Sequence, residues 1–250
     1  SKSLSLAPDI NRPDERPYSF TDMVNAYDEQ LRGLIDGGVD LILIETCFDA
    51  LNTKAALYAL ENITGNGSFP AIVSVSVNDK SGRTLTGQTV KAFYTSVSHY
   101  PLTAFGLNCS LGAEDLTPLV EEVAGFAGCP VICYPNAGLP NEMGGYDETP
   151  QQMGSAVRAM AEKGIVNIVG GCCGTSPEHI AAISEAVKGI RPRSLTDDTE
   201  RDGKILTVSG LEAVSIDLKN SNFTNIGERT NVAGSRKFAR MIAAGDYEAG

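Results

Sequence analysis

The sequence predicts an α/β fold built around a parallel sheet. Five short apolar runs alternate with segments of helical periodicity, and the runs lack the polar alternation of a strand with one face in water. Such a pattern is typical of parallel strands joined by right-handed crossovers. Two architectures fit it: an open doubly wound sheet, and a closed eight-stranded barrel that lacks its first three strands. The sequence begins in a polar, proline-containing segment, which favours the barrel.

The elements follow one another in a regular cycle. The first helix begins beside Ser19 or Thr21, either of which suits an N-cap, and ends at Gly37-Gly38. The first strand is the apolar run 39–44. Later strands are predicted over 71–77, 102–107, 131–134 and 165–169, and later helices over 50–62, 89–99, 114–126, 149–163 and 177–188.

The pattern changes after residue 190. Residues 1–190 hold the predicted partial barrel, and residues 191–222 are a predicted linker with a short hairpin over 206–218. Residues 223–250 begin again with an apolar run at 223–226 and a basic helix start, which predicts the first βα element of a second domain. Because the sequence starts with serine and stops within a helix, we expect it to be a segment of a longer protein.

Composition excludes several classes of function. The chain has 250 residues, a formal charge of −11 and a pI near 4.7, which argues against nucleic acid or an anionic membrane as the main partner. It has no apolar run of the length that spans a bilayer, about 20 residues, and no signal peptide is visible. Six cysteines in a long acidic chain are typical of a reducing cytoplasm, where they serve as metal ligands, nucleophiles or core residues.

Polar and thiol groups collect at the carboxyl ends of the predicted strands. Ligands bind at this end in both candidate architectures. A stable sheet does not require such groups, so they indicate a site. The strand-end runs are Glu45-Thr46-Cys47, Asn78-Asp79, Asn108-Cys109-Ser110, Pro135-Asn136-Ala137-Gly138 and Gly170-Gly171-Cys172-Cys173.

The pair Cys172-Cys173 has glycines on both sides, which let the backbone turn sharply and approach a ligand. A vicinal disulfide is an alternative, but it is strained; a pair of buried core thiols is another. Cys109 ends a strand two strands earlier, and inside a narrow barrel the three thiolates can meet. Zn²⁺ accepts such a set and keeps its fourth position open, as a catalytic site requires.

Charge then predicts the chemistry. Three thiolates on Zn²⁺ give a net charge of about −1, which suits activation of an incoming thiol for alkyl transfer better than activation of water. Glu45 is a candidate for a substrate ammonium group, or else bonds backbone amides at the barrel mouth. Asn108 and Asn136 are candidates to bind a substrate carboxylate or to orient a cysteine, although Asn136 also suits a turn.

The other cysteines and the histidines have simpler interpretations. Cys129 and Cys133 lie four apart in what is predicted as one strand, so we expect both in the core. Cys47 has no partner at a suggestive spacing. His99 ends a predicted helix and His179 starts another, which indicates surface or capping roles.

The double-cysteine motif, with Gly106-Leu107-Asn108-Cys109 upstream, resembles the zinc-binding signature of the homocysteine methyltransferases. Further similar stretches are Leu43-Ile44-Glu45-Thr46, Ser81-Gly82-Arg83-Thr84-Leu85 and Pro135-Asn136-Ala137-Gly138-Leu139-Pro140. The tail Asn225-Ile226-Gly227-Glu228-Arg229-Thr230-Asn231 resembles the start of a pterin-binding domain. This order is similar to that of the cobalamin-dependent methionine synthases.

The resemblance implies a (β/α)8 TIM barrel that binds homocysteine, of which the predicted strands are the fourth to the eighth. It implies Cys109, Cys172 and Cys173 as zinc ligands and catalytic residues, with the homocysteine sulfur at the open position and Glu45 and Asn108 near its amino acid part. The methyl group then passes from methyltetrahydrofolate to cobalamin and on to the zinc-bound thiolate, which forms methionine. The implied partner is a cobalamin-binding domain of the full-length chain.

The resemblance also implies a cofactor-binding role for Glu228, Arg229 and Asn231 on the first strand of a second, pterin-binding barrel. Because most of that domain is outside the sequence, we expect the segment to be inactive alone. Two alternatives stay open. One keeps zinc and homocysteine but uses betaine or S-methylmethionine as the donor, which the pterin-like tail argues against. The other is a non-catalytic zinc or redox module, for which a fourth ligand or a Cys-x-x-Cys pair is missing.

Overall fold

A computed structural model describes residues 2–65, 69–195, 204–224 and 232–246. The chain divides into two compact units, which we describe separately. The first comprises Ser1–Asp202 with Thr207–Ser215, and the second comprises Gly203–Leu206 with Ile216–Gly250.

The first unit is built on a five-stranded sheet in which every neighbouring pair is parallel. This confirms the predicted α/β class. Its strands are β1 (Ile42–Cys47), β2 (Ala71–Val75), β3 (Ala104–Gly112), β4 (Val131–Asn136) and β5 (Ile168–Val169). Its helices are α1 (Phe20–Asp36), α2 (Ala50–Thr64), α3 (Val90–Val97), α4 (Ala113–Phe126), α5 (Pro150–Glu162) and α6 (Pro177–Ala186).

The strands lie in the order β1-β2-β3-β4-β5, the same as their order in the sequence. A doubly wound sheet reverses its strand order at a switch point, and this sheet does not. Because successive right-handed crossovers then run in one direction, they place the connecting helices on one face. The arrangement is consistent with part of a TIM barrel and argues against the open doubly wound alternative.

The two faces of the sheet differ in what covers them. On the helix-covered face, strand residues such as Val73, Phe105 and Cys133 belong to one large core with the helices and are at most 1% exposed. The opposite face, called the inner face below, carries a small cluster of Ile72, Ala104 and Ile132 with Tyr134 packed against it. At the two edges of the described sheet the inner face is less covered: Leu43 is 37% exposed and Ile168 is 38% exposed.

Close strand contact explains one glycine of the Gly106-Leu107-Asn108-Cys109 run. A side chain at Gly106 would place its Cβ 1.9 Å from the carbonyl oxygen of Ile132 on the neighbouring strand. No other residue fits without displacing backbone. Gly106 therefore keeps β3 and β4 close together just before the strand ends that carry the polar groups.

Several predicted boundaries need correction. The first strand begins at Ile42 rather than at 39, because the helix before it ends in a turn through Gly38, whose φ is 85°. Of the run 165–169 only Ile168–Val169 is a strand; the preceding apolar residues are buried without pairing, which the pattern cannot distinguish. Cys129 lies before β4 instead of within it.

The predicted hairpin is confirmed as β6 (Ile205–Ser209) and β7 (Ala213–Asp217). Its tip packs within the first unit: the Leu211 carbonyl accepts from Thr89 N at 3.0 Å, and Glu212 pairs with Arg83.

In the second unit, α7 spans Arg236–Ala244. Of the strand predicted over 223–226, residues 223 and 224 are not in a strand, and the rest lie outside the described residues. Among the residues described, no helix has the length and apolar character needed to cross a membrane.

Candidate metal centre

Three thiols from two strand ends come together at the carboxyl edge of the sheet. Cys109 Sγ lies 3.6 Å from Cys173 Sγ, Cys172 Sγ lies 3.9 Å from Cys173 Sγ, and all three sulfurs lie within 4.8 Å of one another. A tetrahedral metal with sulfur bonds of about 2.3 Å has sulfur–sulfur edges of about 3.8 Å. The observed separations and the soft donor set therefore fit Zn²⁺. All three cysteines are free thiols.

The backbone of β3 departs from a regular strand to deliver Cys109. In a regular strand, consecutive side chains point to opposite faces. Here Cys109 and Ser110 have φ of 65° and 66°, in the left-handed region, and the register with β4 shifts after Asn108. As a result Asn108 and Cys109, although adjacent, both reach the double-cysteine motif: Asn108 through Cys172 and Cys109 through Cys173.

Backbone hydrogen bonds hold the Cys172-Cys173 segment beside the end of β4. Cys172 N donates to the Pro135 carbonyl at 2.7 Å, and the Cys173 carbonyl accepts from Ala137 N at 2.9 Å. The Asn136 side chain completes the set, because its Oδ1 accepts from Cys173 N at 3.1 Å. The segment thus continues the sheet edge although it is no longer a strand.

Tyrosine rings lie against the glycines that flank the pair. A Cβ on Gly170 would approach the ring of Tyr134 to 2.8 Å, and one on Gly174 would approach the ring of Tyr146 to 2.3 Å. Gly174 also has φ of 78°, which an L side chain rarely adopts. Both glycines are needed because aromatic side chains occupy the space next to the cysteines.

Asn108 is 1% exposed, and its amide has four hydrogen-bond partners. Oδ1 accepts from Thr46 N at 3.0 Å and from Ser74 Oγ at 2.7 Å. Nδ2 donates to Thr46 Oγ1 at 2.9 Å and to Cys172 Sγ at 3.6 Å. Thr46, like Cys109 and Ser110, has a left-handed backbone, at φ 56°. The amide therefore links the ends of β1 and β2 to the double-cysteine motif.

The structure places the other two predicted substrate residues on the same edge. Glu45 is exposed at the end of β1, and its charge adds to burial in raising the pKa of Tyr134. Asn136 is 3% exposed at the end of β4. The predicted cofactor residues Glu228, Arg229 and Asn231 lie outside the described residues.

The pKa of the Cys109 thiol is raised to about 11: burial is the largest cause, a backbone hydrogen bond at Ser110 partly opposes it, and the sulfurs of Cys173 and Cys172 add to the rise. A metal that binds at neutral pH must therefore displace a proton from Cys109. The pKa of Tyr146 is also raised, by desolvation and then by Cys173.

The remaining cysteines and histidines do not join the centre. Cys47 and Cys133 are buried, and burial raises the pKa of each thiol to about 12. His179 caps α6: its Nδ1 accepts from Ser176 N at 3.1 Å, and its Nε2 contacts the Glu148 carbonyl at 2.8 Å. The capping interpretation of His179 is confirmed, although at 9% exposure the ring is buried rather than on the surface.

Sequence reasoning assigned no role to three residues of the centre. Ser74 was visible only as a hydroxyl within the apolar run of β2, and its hydrogen bond to Asn108 gives it a role. Thr46 gave no sign of its left-handed backbone. Tyr146 lies far along the sequence from both cysteine segments, in a loop bridged by Pro140 and Tyr146 itself, and no local pattern marks it.

Comparisons with known proteins agree with the geometry. The profile of the family described as Homocysteine S-methyltransferase matches residues 2–187. The homocysteine methyltransferase MmuM from Escherichia coli has a similar fold. Its oxidised form gives a TM-score of 0.53 at 23% identity, over 65% of this chain and 52% of that one. Its apo form gives 0.50 at 25% identity, over 68% and 57%. The chain thus spans little more than half the length of those structures.

Proposed function

Because the chain belongs to the homocysteine S-methyltransferase family, we propose that its three-cysteine centre binds Zn²⁺ and prepares the thiol of homocysteine to accept a methyl group, which forms methionine. The observation that carries the proposal is the convergence of Cys109, Cys172 and Cys173 to within 4.8 Å. Thiolates are ligands that zinc prefers, and three of them leave one tetrahedral position for the substrate.

A zinc ion held there would deprotonate a coordinating thiol and keep it as a thiolate, the nucleophilic form, at neutral pH. The residues of the chain do the rest. The three cysteine thiolates bring enough negative charge to leave a bound substrate sulfur electron-rich. Glu45, exposed at the strand end, binds the substrate ammonium group, and Asn136 lies on the same edge for the substrate carboxylate.

We assign methylcobalamin as the immediate donor, carried by a cobalamin-binding domain of the full-length chain, and methyltetrahydrofolate as the source of the methyl group. The support is the order of segments in the sequence. Residues 1–190 are the homocysteine barrel, with strands four to eight; residues 191–222 are the linker. The run 225–231 resembles the start of a pterin-binding domain, and we therefore assign residues 223–250 to the beginning of such a barrel, with Glu228, Arg229 and Asn231 as cofactor-binding residues.

X-ray absorption at the zinc edge tests the substrate assignment. Zinc-loaded protein should show three sulfur neighbours, and addition of homocysteine should raise the number to four with release of about one proton, since a coordinating thiol is deprotonated. Homoserine, which replaces the thiol by a hydroxyl, is the matched control and should leave the sulfur count unchanged. A spectrum that does not respond to homocysteine would contradict thiol activation.

The donor is tested separately, by methionine formation from homocysteine in the full-length protein. Methylcobalamin should support the reaction, whereas betaine and S-methylmethionine should not. Turnover with either of the latter compounds alone would overturn the cobalamin assignment and leave the zinc–homocysteine proposal intact.

A further inference from the structure

The Asn108 amide is a buried polar group whose nitrogen lies 3.6 Å from the sulfur of Cys172. An asparagine amide offers two N–H donors and an oxygen with two acceptor sites. All four are used within the protein, on Thr46, Ser74 and Cys172. With no hydrogen-bonding capacity left and 1% exposure, Asn108 has nothing to offer a substrate carboxylate.

The orientation of the amide follows from its neighbours. The backbone N–H of Thr46 can only donate, so the oxygen of Asn108 must face it, at 3.0 Å. The nitrogen then faces Thr46 Oγ1 and the sulfur of Cys172, both of which can accept. An N–H group directed at a thiolate stabilises the anion and fixes the direction of its lone pairs, as outer hydrogen bonds do for metal ligands.

The same amide also holds strained backbone. Thr46 has φ of 56°, and Asn108 binds it through both its N–H and its hydroxyl. Residues in this region persist only where their surroundings enforce the conformation. Ser74, on β2 between β1 and β3, also holds the Asn108 amide in place, because its Oγ donates to Asn108 Oδ1 at 2.7 Å. One side chain therefore sets both the position of the Cys172 sulfur and the backbone that follows Glu45.

We infer that Asn108 is a positioning residue of the metal centre: its buried amide aims the Cys172 sulfur at the metal and ties it to the strand end that carries Glu45. The inference rests on the proposed three-sulfur metal site. Its chemistry requires an amide rather than a carboxylate, because a carboxylate at this position has no N–H for sulfur and adds a negative charge beside thiolates.

The test is the Zn²⁺ affinity of the 250-residue chain, measured by competition with a chromophoric chelator. Asn108→Asp keeps the size of the side chain and its acceptor oxygen but removes both N–H donors. We expect affinity to fall about 10–100-fold, the usual effect of losing an outer hydrogen bond to a metal ligand. The matched control is Asn52→Asp: Asn52 is another buried asparagine, whose Oδ1 accepts from Tyr27 Oη at 2.6 Å, and it lies outside the three-cysteine group. The affinity of this variant should stay within about threefold of wild type.

A spectroscopic reading separates positioning from general loss of stability. In the Co²⁺-substituted chain, Asn108→Asp should weaken the sulfur-to-cobalt charge-transfer bands, because the Cys172 sulfur is no longer aimed at the metal, while Asn52→Asp should leave them unchanged. Wild-type affinity and bands in a folded Asn108→Asp chain would overturn the inference.

If circular dichroism shows that Asn108→Asp does not fold, Ser74→Ala serves instead. It removes one partner of Oδ1 and should shift affinity in the same direction by a smaller factor; an unchanged affinity would again overturn the inference. A different result would contradict the proposed function: wild-type protein that binds no zinc, or zinc-loaded wild type whose X-ray absorption spectrum does not change when homocysteine is added. Those results concern the wild-type chain and do not depend on either variant.

Discussion

The helix-covered face of the sheet and the edge at its carboxyl ends follow different rules, although the same strands build both. In β3, Phe105 and Leu107 are fully buried in the helix-packed core. The next residues are Asn108 and Cys109; the backbone becomes left-handed at Cys109 and Ser110, and the side chains of Asn108 and Cys109 meet the thiols of another strand end. Stability and chemistry are thus separated along one strand, at the point where the regular backbone ends.

The cysteines make the comparison sharper because they carry the same functional group in both regions. Cys133 is fully buried among apolar neighbours, and burial alone raises the pKa of its thiol to about 12. Such a thiol is an inert, small core residue. Cys109 is also hard to ionise, but it has two other sulfurs within reach. The two regions therefore differ more in which groups surround each thiol than in how deeply the thiol is buried.

The largest expected effect is on zinc affinity, and it appears when one cysteine from each region is replaced by alanine. Cys172→Ala removes one of three sulfurs, and we expect zinc affinity to fall by more than about 1,000-fold, since only two thiolate ligands would remain to hold the ion. Cys133→Ala removes a sulfur of equal size from the core. This variant should have the zinc affinity of wild type and lose about 1–2 kcal/mol of unfolding free energy through the small cavity that forms.

Metal content after dialysis and urea unfolding measure the two effects on the same samples. If Cys133→Ala binds no zinc, or if Cys172→Ala binds it with wild-type affinity, the core cysteine and the edge cysteine do not have separate roles in stability and metal binding.

A smaller effect is expected at Asp49, which lies at the same edge but serves stability. Asp49 is 2% exposed and caps α2. Its Oδ2 accepts from Ser3 Oγ at 2.7 Å and from Leu4 N at 2.8 Å. Asp49→Asn should lower the unfolding free energy by about 1–3 kcal/mol at pH 7, the cost of a lost charged cap and its hydrogen bonds, and should leave zinc affinity unchanged.

The pH dependence of that loss follows from the pKa of Asp49. Burial alone would raise it, but the hydrogen bonds from Ser3, Ser5 and Leu4 outweigh burial and lower it. A carboxylate with a lowered pKa in the folded state stabilises the fold above its unfolded pKa of about 3.9 and loses that contribution as pH falls through the folded value. Urea titrations of wild type and Asp49→Asn should therefore converge at acid pH; a constant difference down to pH 2 would contradict this account.

The smallest effect is expected where the edge meets the hairpin tip. Arg83 and Glu212 form an ion pair whose side chains are 43% and 58% exposed. Exposed pairs contribute about 0–1 kcal/mol. Arg83→Ala should change the unfolding free energy by less than about 1 kcal/mol, and high salt should reduce the difference further. Thermal unfolding at low and high salt measures it, and Arg158→Ala, which breaks an exposed pair within α5, is the control.

The sequence was sufficient to predict the helices and strands that show clear periodicity, and to predict that three cysteine thiols lie close together. Helices such as α2 and α4 were predicted because their apolar residues recur at helical spacing, and the double cysteine between glycines is a rare pattern. The exact strand ends were harder, since an apolar run reports burial and not pairing: Ile165 is 7% exposed yet lies outside β5.

The supporting groups of the centre could not be predicted in the same way. Strand alternation puts Asn108 and Cys109 on opposite faces, and only the left-handed backbone brings both to one motif. Neither cysteine nor serine signals such a conformation, as glycine or asparagine would. Contacts such as that of Ser74 with Asn108 join residues far apart in sequence, and no local pattern encodes them.

The left-handed residues at the strand ends also affect how the protein responds to heating. Thr46, Cys109 and Ser110 each occupy a conformation that costs a non-glycine residue about 1 kcal/mol or more. A segment with an unfavourable backbone conformation is expected to unfold locally before the rest of the fold. If the three-cysteine centre binds Zn²⁺ as proposed, warming the zinc-loaded chain should release the ion at temperatures at which the helices are still intact, so that metal loss and melting become two events rather than one.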